Sequence, residues 1–158
     1  MKKLTKARAQ RIVRENLPWL RWAMQLQDWS IDVKWDWLEK RSEHAAVAGE
    51  VDARPDYRFA TIVMDHRQAT DKARLLHNLR HELLHLVLSP FITGCYIAQV
   101  AAPLDAAPAI DAAFTTATEQ AILQIERALD LLGMTAEGMI AAAKKEAKSW
   151  RPVMEAGR

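Results

Sequence analysis

The sequence predicts one α+β domain over residues 1–158, in which a small three-stranded, mostly antiparallel sheet packs against an N-terminal helix and several C-terminal helices. Residues 29–38 alternate between apolar and polar side chains, which is typical of a half-buried strand. Residues 70–88 instead carry apolar side chains at helical spacing. The chain has 158 residues, of which 50% are hydrophobic, so it is long enough to bury a core without disulfides.

The N-terminal segment from Thr5 to about Gln27 is predicted to be a helix, because its apolar residues recur every three or four positions. Pro18 is expected to break or kink this helix, since proline has no N–H to donate. Residues 1–27 contain seven lysines and arginines but a single acid, Glu15. Such a basic helix is typical of a solvated surface, and binding to nucleic acid is the alternative.

Two further strands are predicted at Ala45–Asp52 and Tyr57–Asp65, with a turn at residues 53–56 between them. Proline favours a turn because its ring restricts φ, and aspartate because its side chain bonds to the nearby backbone. Together with residues 29–38, these two segments complete the predicted sheet.

The helix over residues 70–88 is followed by Ser89-Pro90, which is a stop signal. The next stretch, Pro90–Ile110, is rich in small residues and contains two more prolines. We therefore expect it to form an irregular connection or a loose lid.

A helix is predicted at Asp111–Leu132, with Gly133 at its C-cap. Thr135 is then expected to cap a last helix that reaches about Lys148. Both ends of the chain are expected to fray, at residues 1–4 and 149–158.

The segment His81-Glu82-Leu83-Leu84-His85 lies within the helix predicted for residues 70–88. Residues four apart on a helix lie one turn above each other, so both imidazoles can reach the same metal ion. Glu82 lies beside them, where it can accept a proton from a metal-activated water. Burying these groups without partners would be costly, and a metal ion removes that cost. The alternative is an amphipathic helix whose histidines are only hydrogen-bonded.

A catalytic zinc site needs three protein ligands and an open position, so His81 and His85 require a third. No histidine follows His85, and the single cysteine, Cys95, excludes a cysteine-based zinc cluster. His77, one turn before His81, is expected to line the cleft, to bond an acidic partner or to lie at the polar rim of the helix. The third ligand is therefore a downstream acid or one of the upstream histidines His44, His66 and His77.

Among the downstream acids, Glu119 is the first choice as third ligand, because it lies at the start of the apolar face of the helix predicted at residues 111–132. Glu126 lies seven residues later on the same face and is the second choice. Asp105 and Asp111 are the remaining alternatives. Each of these acids could instead be a solvated charge paired with lysine or arginine.

Four segments of the chain, taken in order, resemble a known family. They are Trp29-Ser30-Ile31-Asp32-Val33, Ala60-Thr61-Ile62-Val63-Met64-Asp65, residues 79–87 with the His-Glu-x-x-His motif, and Glu119-Gln120-Ala121-Ile122. Together they resemble the minimal zincin fold, and in particular the small metallopeptidases encoded in bacteriophage and prophage genomes. Of the four segments only the one with the His-Glu-x-x-His motif is specific, and the other three are similar in pattern only.

The resemblance implies a Zn²⁺ cofactor bound by His81, His85 and Glu119, with Glu82 as the general base. The implied activity is that of a zinc-dependent metalloendopeptidase acting on a protein or peptide substrate. Two alternatives stay open. One is a zinc-binding interaction or regulatory module without catalysis, and the other is a nucleic-acid-associated phage factor that uses the basic N-terminal helix.

The predicted strand at residues 57–65 is expected to be an edge strand that binds an extended substrate by strand addition. A group that stabilises the transition state is not assigned by the pattern. The candidates for it are Tyr57, Tyr96 and His66.

No apolar run in the chain approaches transmembrane length, and no apolar segment follows Met1-Lys2-Lys3 as it would in a secretory signal. The formal net charge of +2 is small and by itself indicates no acidic partner. We therefore expect a protein without membrane contacts in the cytoplasm, which would be that of the bacterial host if the gene belongs to a phage.

Overall fold

The computed structural model describes residues 4–36, 38, 48–101, 103 and 105–156. In that part of the chain it has five α-helices and one three-stranded sheet, which confirms the α+β class. The helices are α1 (Lys6–Ala23), α2 (Lys72–Val87), α3 (Ser89–Ala101), α4 (Ala107–Leu131) and α5 (Ala136–Ala156). The strands are β1 (Ser30–Trp35), β2 (Gly49–Arg54) and β3 (Phe59–Met64). The parts of the predicted strands at residues 37 and 45–47 lie outside the described residues.

The sheet is mixed, because β3 lies between the other two strands and pairs with β1 in parallel and with β2 antiparallel. The prediction of a mostly antiparallel sheet is therefore wrong, and so is the prediction that residues 57–65 form an edge strand. β3 takes the central position because it is the most apolar strand, with Ala60, Ile62 and Met64 buried. β1 and β2 expose charged side chains, as edge strands commonly do.

The core lies between one face of the sheet and the helices α1, α2 and α5. α2 contributes the fully buried Leu75, Leu79 and Leu83 to it. α1 continues through Pro18, so the helix does not break there. Buried residues on both sides of the proline, from Ile12 to Leu20, hold α1 against the core, and this packing outweighs the lost hydrogen bond.

Residues 90–110, which we expected to be irregular, are largely helical, because α3 begins at Ser89 directly after α2 and α4 begins at Ala107. Pro90 follows the end of α2 and also stands in the first turn of α3. Its missing N–H costs nothing there, since the first N–H groups of a helix have no intrahelical partner. Among the described residues, no helix combines the length and the apolar character needed to cross a bilayer.

The predicted junction between α4 and α5 is confirmed. Gly133 has a φ of 73°, in the left-handed region that favours glycine at the end of a helix. The side-chain oxygen of Thr135 accepts a hydrogen bond from the N–H of Gly138 at 3.1 Å, which caps α5. α5 then continues to Ala156, so most of the segment at 149–158 that we expected to fray is helical. At the other end, Leu4 is buried.

Asp65 links β3 to α2 and is almost completely buried. Its carboxylate accepts hydrogen bonds from the backbone N–H of Arg67 at 3.0 Å and from the Nε and Nη2 of the same residue at 2.8 and 2.5 Å. Its own N–H donates to the carbonyl of Ala48 at 3.0 Å. Burial alone would raise the pKa of Asp65, but the hydrogen bonds and the charge of Arg67 outweigh it, so this pKa lies below its usual value.

Replacing Asp65 with Asn should lower the free energy of unfolding at pH 7 by about 1–3 kcal/mol, because Arg67 loses a charged acceptor. A carboxylate whose pKa is lowered on folding stabilises the protein above the pKa of the unfolded chain. That contribution is lost as the pH falls below about 4. Urea unfolding of the wild type and Asp65→Asn at pH 7 and pH 3 measures both effects. An equal difference in stability at the two pH values would contradict this account.

Candidate metal centre

The motif residues of α2 lie on either side of the row of buried leucines that packs into the core. The helix begins at an N-cap, where the carboxylate of Asp71 accepts the backbone N–H of Arg74 at 2.9 Å. One face of the helix packs into the core through leucines at helical spacing. The residues between these leucines face α4 on one side and β2 on the other. His81 and His85 lie toward α4, and Glu82 lies toward β2.

The three predicted ligands lie together in the structure. Nε2 of His81 lies 3.4 Å from Oε2 of Glu119, and Nε2 of His85 lies 3.3 Å from Oε1 of the same carboxylate. One donor atom from each residue lies within 4.8 Å of the other two. Donor atoms around a tetrahedral zinc ion, with bonds of about 2.0–2.1 Å, are about 3.3–3.4 Å apart. The group formed by His81, His85 and Glu119, called here the metal set, can therefore hold a metal ion.

Glu126, the second choice as third ligand, lies behind His81 instead of beside the donor atoms. Its carboxylate is buried and accepts a hydrogen bond from Nδ1 of His81, with the two atoms 3.2 Å apart. A proton on Nδ1 leaves the lone pair of Nε2 directed at the metal set. Glu126 therefore orients His81 and selects its tautomer, whereas the carboxylate of Glu119 lies among the donor atoms of the metal set.

Arg80 is fully buried between α2 and α4, and sequence reasoning did not identify it. Its guanidinium lies 2.9 Å from a carboxylate oxygen of Asp130 and 3.7 Å from one of Glu126. Nη1 also donates to the carbonyl of Met134 at 2.8 Å. The sequence did contain a signal for it, namely an arginine within a leucine-rich helix. An arginine buried with those leucines requires acidic partners on another element.

Hydrogen bonding and burial move the pKa values of the site in opposite directions. The hydrogen bond with Glu126 raises the pKa of His81, and burial lowers the pKa of His85. Burial alone would raise the pKa of Glu126, but the hydrogen bond with His81 and the nearby positive charges lower it. Burial also lowers the pKa of His77, whose Nε2 lies 3.8 Å from Glu126. His77 thus lies near an acidic partner, one of the roles expected for it.

Glu82 is buried against the start of β2. Burial raises the pKa of its carboxyl group to about 7, and the charges of Glu119, Glu126 and Glu50 act in the same direction. A Cβ atom placed on Gly49 would lie 2.4 Å from Oε1 of Glu82 and 2.7 Å from its Cγ. Only glycine leaves room for this side chain at that position of the strand.

A cavity of about 380 Å³ opens beside the metal set, between β2 and α4. Gly49, Glu82, His81 and Glu119 line one part of it. The remaining wall includes Arg74, His77 and Asn78 from the first half of α2. The cavity gives a ligand access to the carboxylate of Glu82 and to a histidine of the metal set.

The other candidate residues lie elsewhere. Asp105 and Asp111 are exposed and are not part of the metal set. Tyr57 is 81% exposed, follows the far end of β2 and does not line the cavity. His66 lines a separate depression with Trp35. His44 and the side chain of Tyr96 lie outside the described residues.

Comparisons of the chain with models of protein families, with curated proteins and with solved structures found no match.

The two acids of α4 should affect metal binding to different extents. Glu119→Ala removes a donor atom and should weaken Zn²⁺ binding by more than about 100-fold, whereas Glu126→Gln should weaken it about 10–100-fold by releasing His81. Isothermal titration calorimetry measures both affinities. Asp111→Ala is the matched control and should bind Zn²⁺ like the wild type. Normal Zn²⁺ affinity of Glu119→Ala would show that the third ligand is misassigned.

Gly49→Ala should lower the free energy of unfolding by about 1–3 kcal/mol, because the added methyl group collides with Glu82. Gly94→Ala is the control, since a Cβ at this position of α3 meets no atom within 4 Å. It should stabilise the protein by up to about 1 kcal/mol through helix propensity. Thermal unfolding compares the two variants. Equal stability of Gly49→Ala and the wild type would contradict the close contact.

Proposed function

We propose that this chain is a zinc-dependent metallopeptidase with a zincin-like fold, which hydrolyses peptide bonds in a protein or peptide substrate. The observation that carries the proposal is the buried carboxylate of Glu82 beside two histidines and Glu119 whose donor atoms converge. The order of the elements supports the fold, since a helix and three strands precede the motif helix and a helix with the third acid follows it.

His81, His85 and Glu119 would hold the metal ion. Two imidazoles and one carboxylate are a donor set found in catalytic zinc sites, where the remaining position is left open. Zn²⁺ bound there supplies a Lewis acid, which makes a water molecule more acidic and polarises a peptide carbonyl. A structural zinc site would need a fourth protein ligand, and no fourth donor joins the metal set among the described residues. This open position favours catalysis over a purely structural role.

Glu82 would act as the general base and then as the general acid. It follows His81 directly in the sequence and lines the same cavity, so its carboxylate can reach a water molecule bound near the metal set. The carboxylate accepts the proton of the attacking water and later delivers it to the nitrogen of the leaving amine. Because Gly49 has no side chain, the carboxylate of Glu82 has room to lie at the wall of the cavity.

β2 would bind the substrate as an added strand. Within the described residues it pairs with a neighbour on one side only, and its first residue, Gly49, packs on Glu82. An extended peptide at the free edge would bond through its main chain and pass beside the metal set. This role falls to β2 and not to residues 57–65, because both edges of β3 are already paired.

Glu82→Gln should lower the rate of cleavage of an unfolded protein such as casein by about 100-fold or more, because the amide cannot accept the proton. The variant should bind Zn²⁺ with the stoichiometry of the wild type, since all three ligands remain. Glu137→Gln, which changes an exposed acid of α5, is the matched control and should cleave normally. The peptidase mechanism would be wrong if Glu82→Gln cleaved casein as fast as the wild type.

A further inference from the structure

The cavity extends along α2 away from the metal set, to Arg74 and Asn78. Arg74 lies seven residues before His81 and Asn78 lies three residues before it. At about 1.5 Å per residue, these two side chains begin about 5–10 Å from His81 along the helix axis. An extended peptide covers that distance with about one to three residues.

Asn78 is 5% exposed and lines the cavity. Its side-chain nitrogen, Nδ2, is buried and has no hydrogen-bond partner among the described residues. A buried donor without an acceptor is energetically unfavourable, which makes such groups rare in folded proteins. An acceptor oxygen of a bound molecule would recover this energy.

Arg74 adds a positive charge to the same part of the cavity. It lies four residues before Asn78, so the two side chains project from adjacent turns of one helix face. The backbone N–H of Arg74 bonds to Asp71, but its guanidinium forms no ion pair with any described residue. Within the described part of the chain its five N–H donors therefore remain available to an anion, and its charge also acts on the carboxylate of Asp71.

Three acids line the cavity. Glu82 and Glu119 lie beside the metal set, and the carboxylate of Glu126 contacts His77, Arg80 and His81. Among the described residues none of these acids bonds to the side-chain nitrogen of Asn78, so the part of the cavity around Arg74 and Asn78 presents hydrogen-bond donors and positive charge. A carboxylate matches these donors better than a neutral peptide carbonyl, because its hydrogen bonds with a guanidinium are charge-assisted and can be bidentate.

We propose that Arg74 and Asn78 form a subsite, called here the carboxylate subsite, which binds a carboxylate of the substrate one to three residues from the cleaved bond. This inference rests on the proposed peptidase function. The carboxylate is either the free C-terminus of a peptide or the side chain of an aspartate or glutamate. The subsite gives the enzyme a preference for such substrates, because a neutral group in the same place leaves the guanidinium without a partner.

The test is an NMR titration of the ¹⁵N-labelled Glu82→Gln protein, which retains the subsite but should not cleave. Three probes separate the sources of the carboxylate. N-acetyl-alanyl-alanine carries a C-terminal carboxylate, N-acetyl-alanyl-glutamic acid amide carries a side-chain carboxylate, and N-acetyl-alanyl-glutamine amide carries neither. The observed signals are those of the side-chain amide of Asn78. Each titration is repeated without Zn²⁺, because a carboxylate can also bind a metal ion directly.

At least one carboxylate probe should shift the Asn78 side-chain signals with and without Zn²⁺, and the neutral probe should not. In the same background, Arg74→Gln should weaken binding of that probe about fivefold, and Asn78→Leu should weaken it about tenfold or more. Arg127→Gln, an exposed arginine of α4 that does not line the cavity, is the control for lost charge and should bind normally. Arg74 is exposed, so Arg74→Gln decides the test even if Asn78→Leu does not fold.

Equal affinities for the acidic and neutral probes would overturn the carboxylate subsite, and so would normal binding by Arg74→Gln. Binding that requires Zn²⁺ but does not depend on Arg74 would mean that the carboxylate binds the metal ion alone, and would also overturn it. The titration without Zn²⁺ does not depend on catalysis. Failure of the peptidase mechanism would appear in the casein assay, whereas failure of the subsite appears here.

Discussion

The pairing of buried charges between α2 and α4 is the constraint on which the site depends. Arg80 is completely buried, and a guanidinium in that position is stable only when acids from another element surround it. Asp130 and Glu126 of α4 supply them. The contacts of Arg80 with Asp130, of His81 with Glu126 and of His85 with Glu119 follow one another along two antiparallel helices. These pairs fix the position of α4 along α2 so that Glu119 lies opposite the two histidines.

The other side of α2 depends on shape more than on charge. Glu82 is buried against β2, where Gly49 leaves room for its side chain. The parallel and antiparallel pairings of β3 place β2 at the free edge of the sheet within the described chain, beside the motif helix. In the proposed function, α2 would receive a metal ligand from α4 on one side and a substrate-binding edge from β2 on the other, so the proposed chemistry and the proposed specificity would share one cavity.

Local patterns in the sequence were sufficient for most of the elements. The alternation that predicts a strand at residues 29–38, the leucine spacing of α2 and the junction at Gly133 and Thr135 each depend on neighbours within a few positions. The helix and the junction were correctly predicted, and the strand was found in its first part, at Ser30–Trp35. The stretch from Pro90 to Ile110 was not. Proline and small residues indicated an irregular segment, but proline is compatible with the first turn of a helix and alanine favours helix formation.

The sequence by itself determined the chemistry available to the site: two histidines one turn apart, a glutamate between them, and two acids on one face of a later helix. Only the tertiary structure decided that Glu119 joins the metal set and that Glu126 orients His81. Only the tertiary structure placed β3 in the centre of the sheet. The physical reason is the same in both cases. Spacing along one element determines which residues share a face, but the position of one element along another depends on packing and charge pairing between residues far apart in the chain.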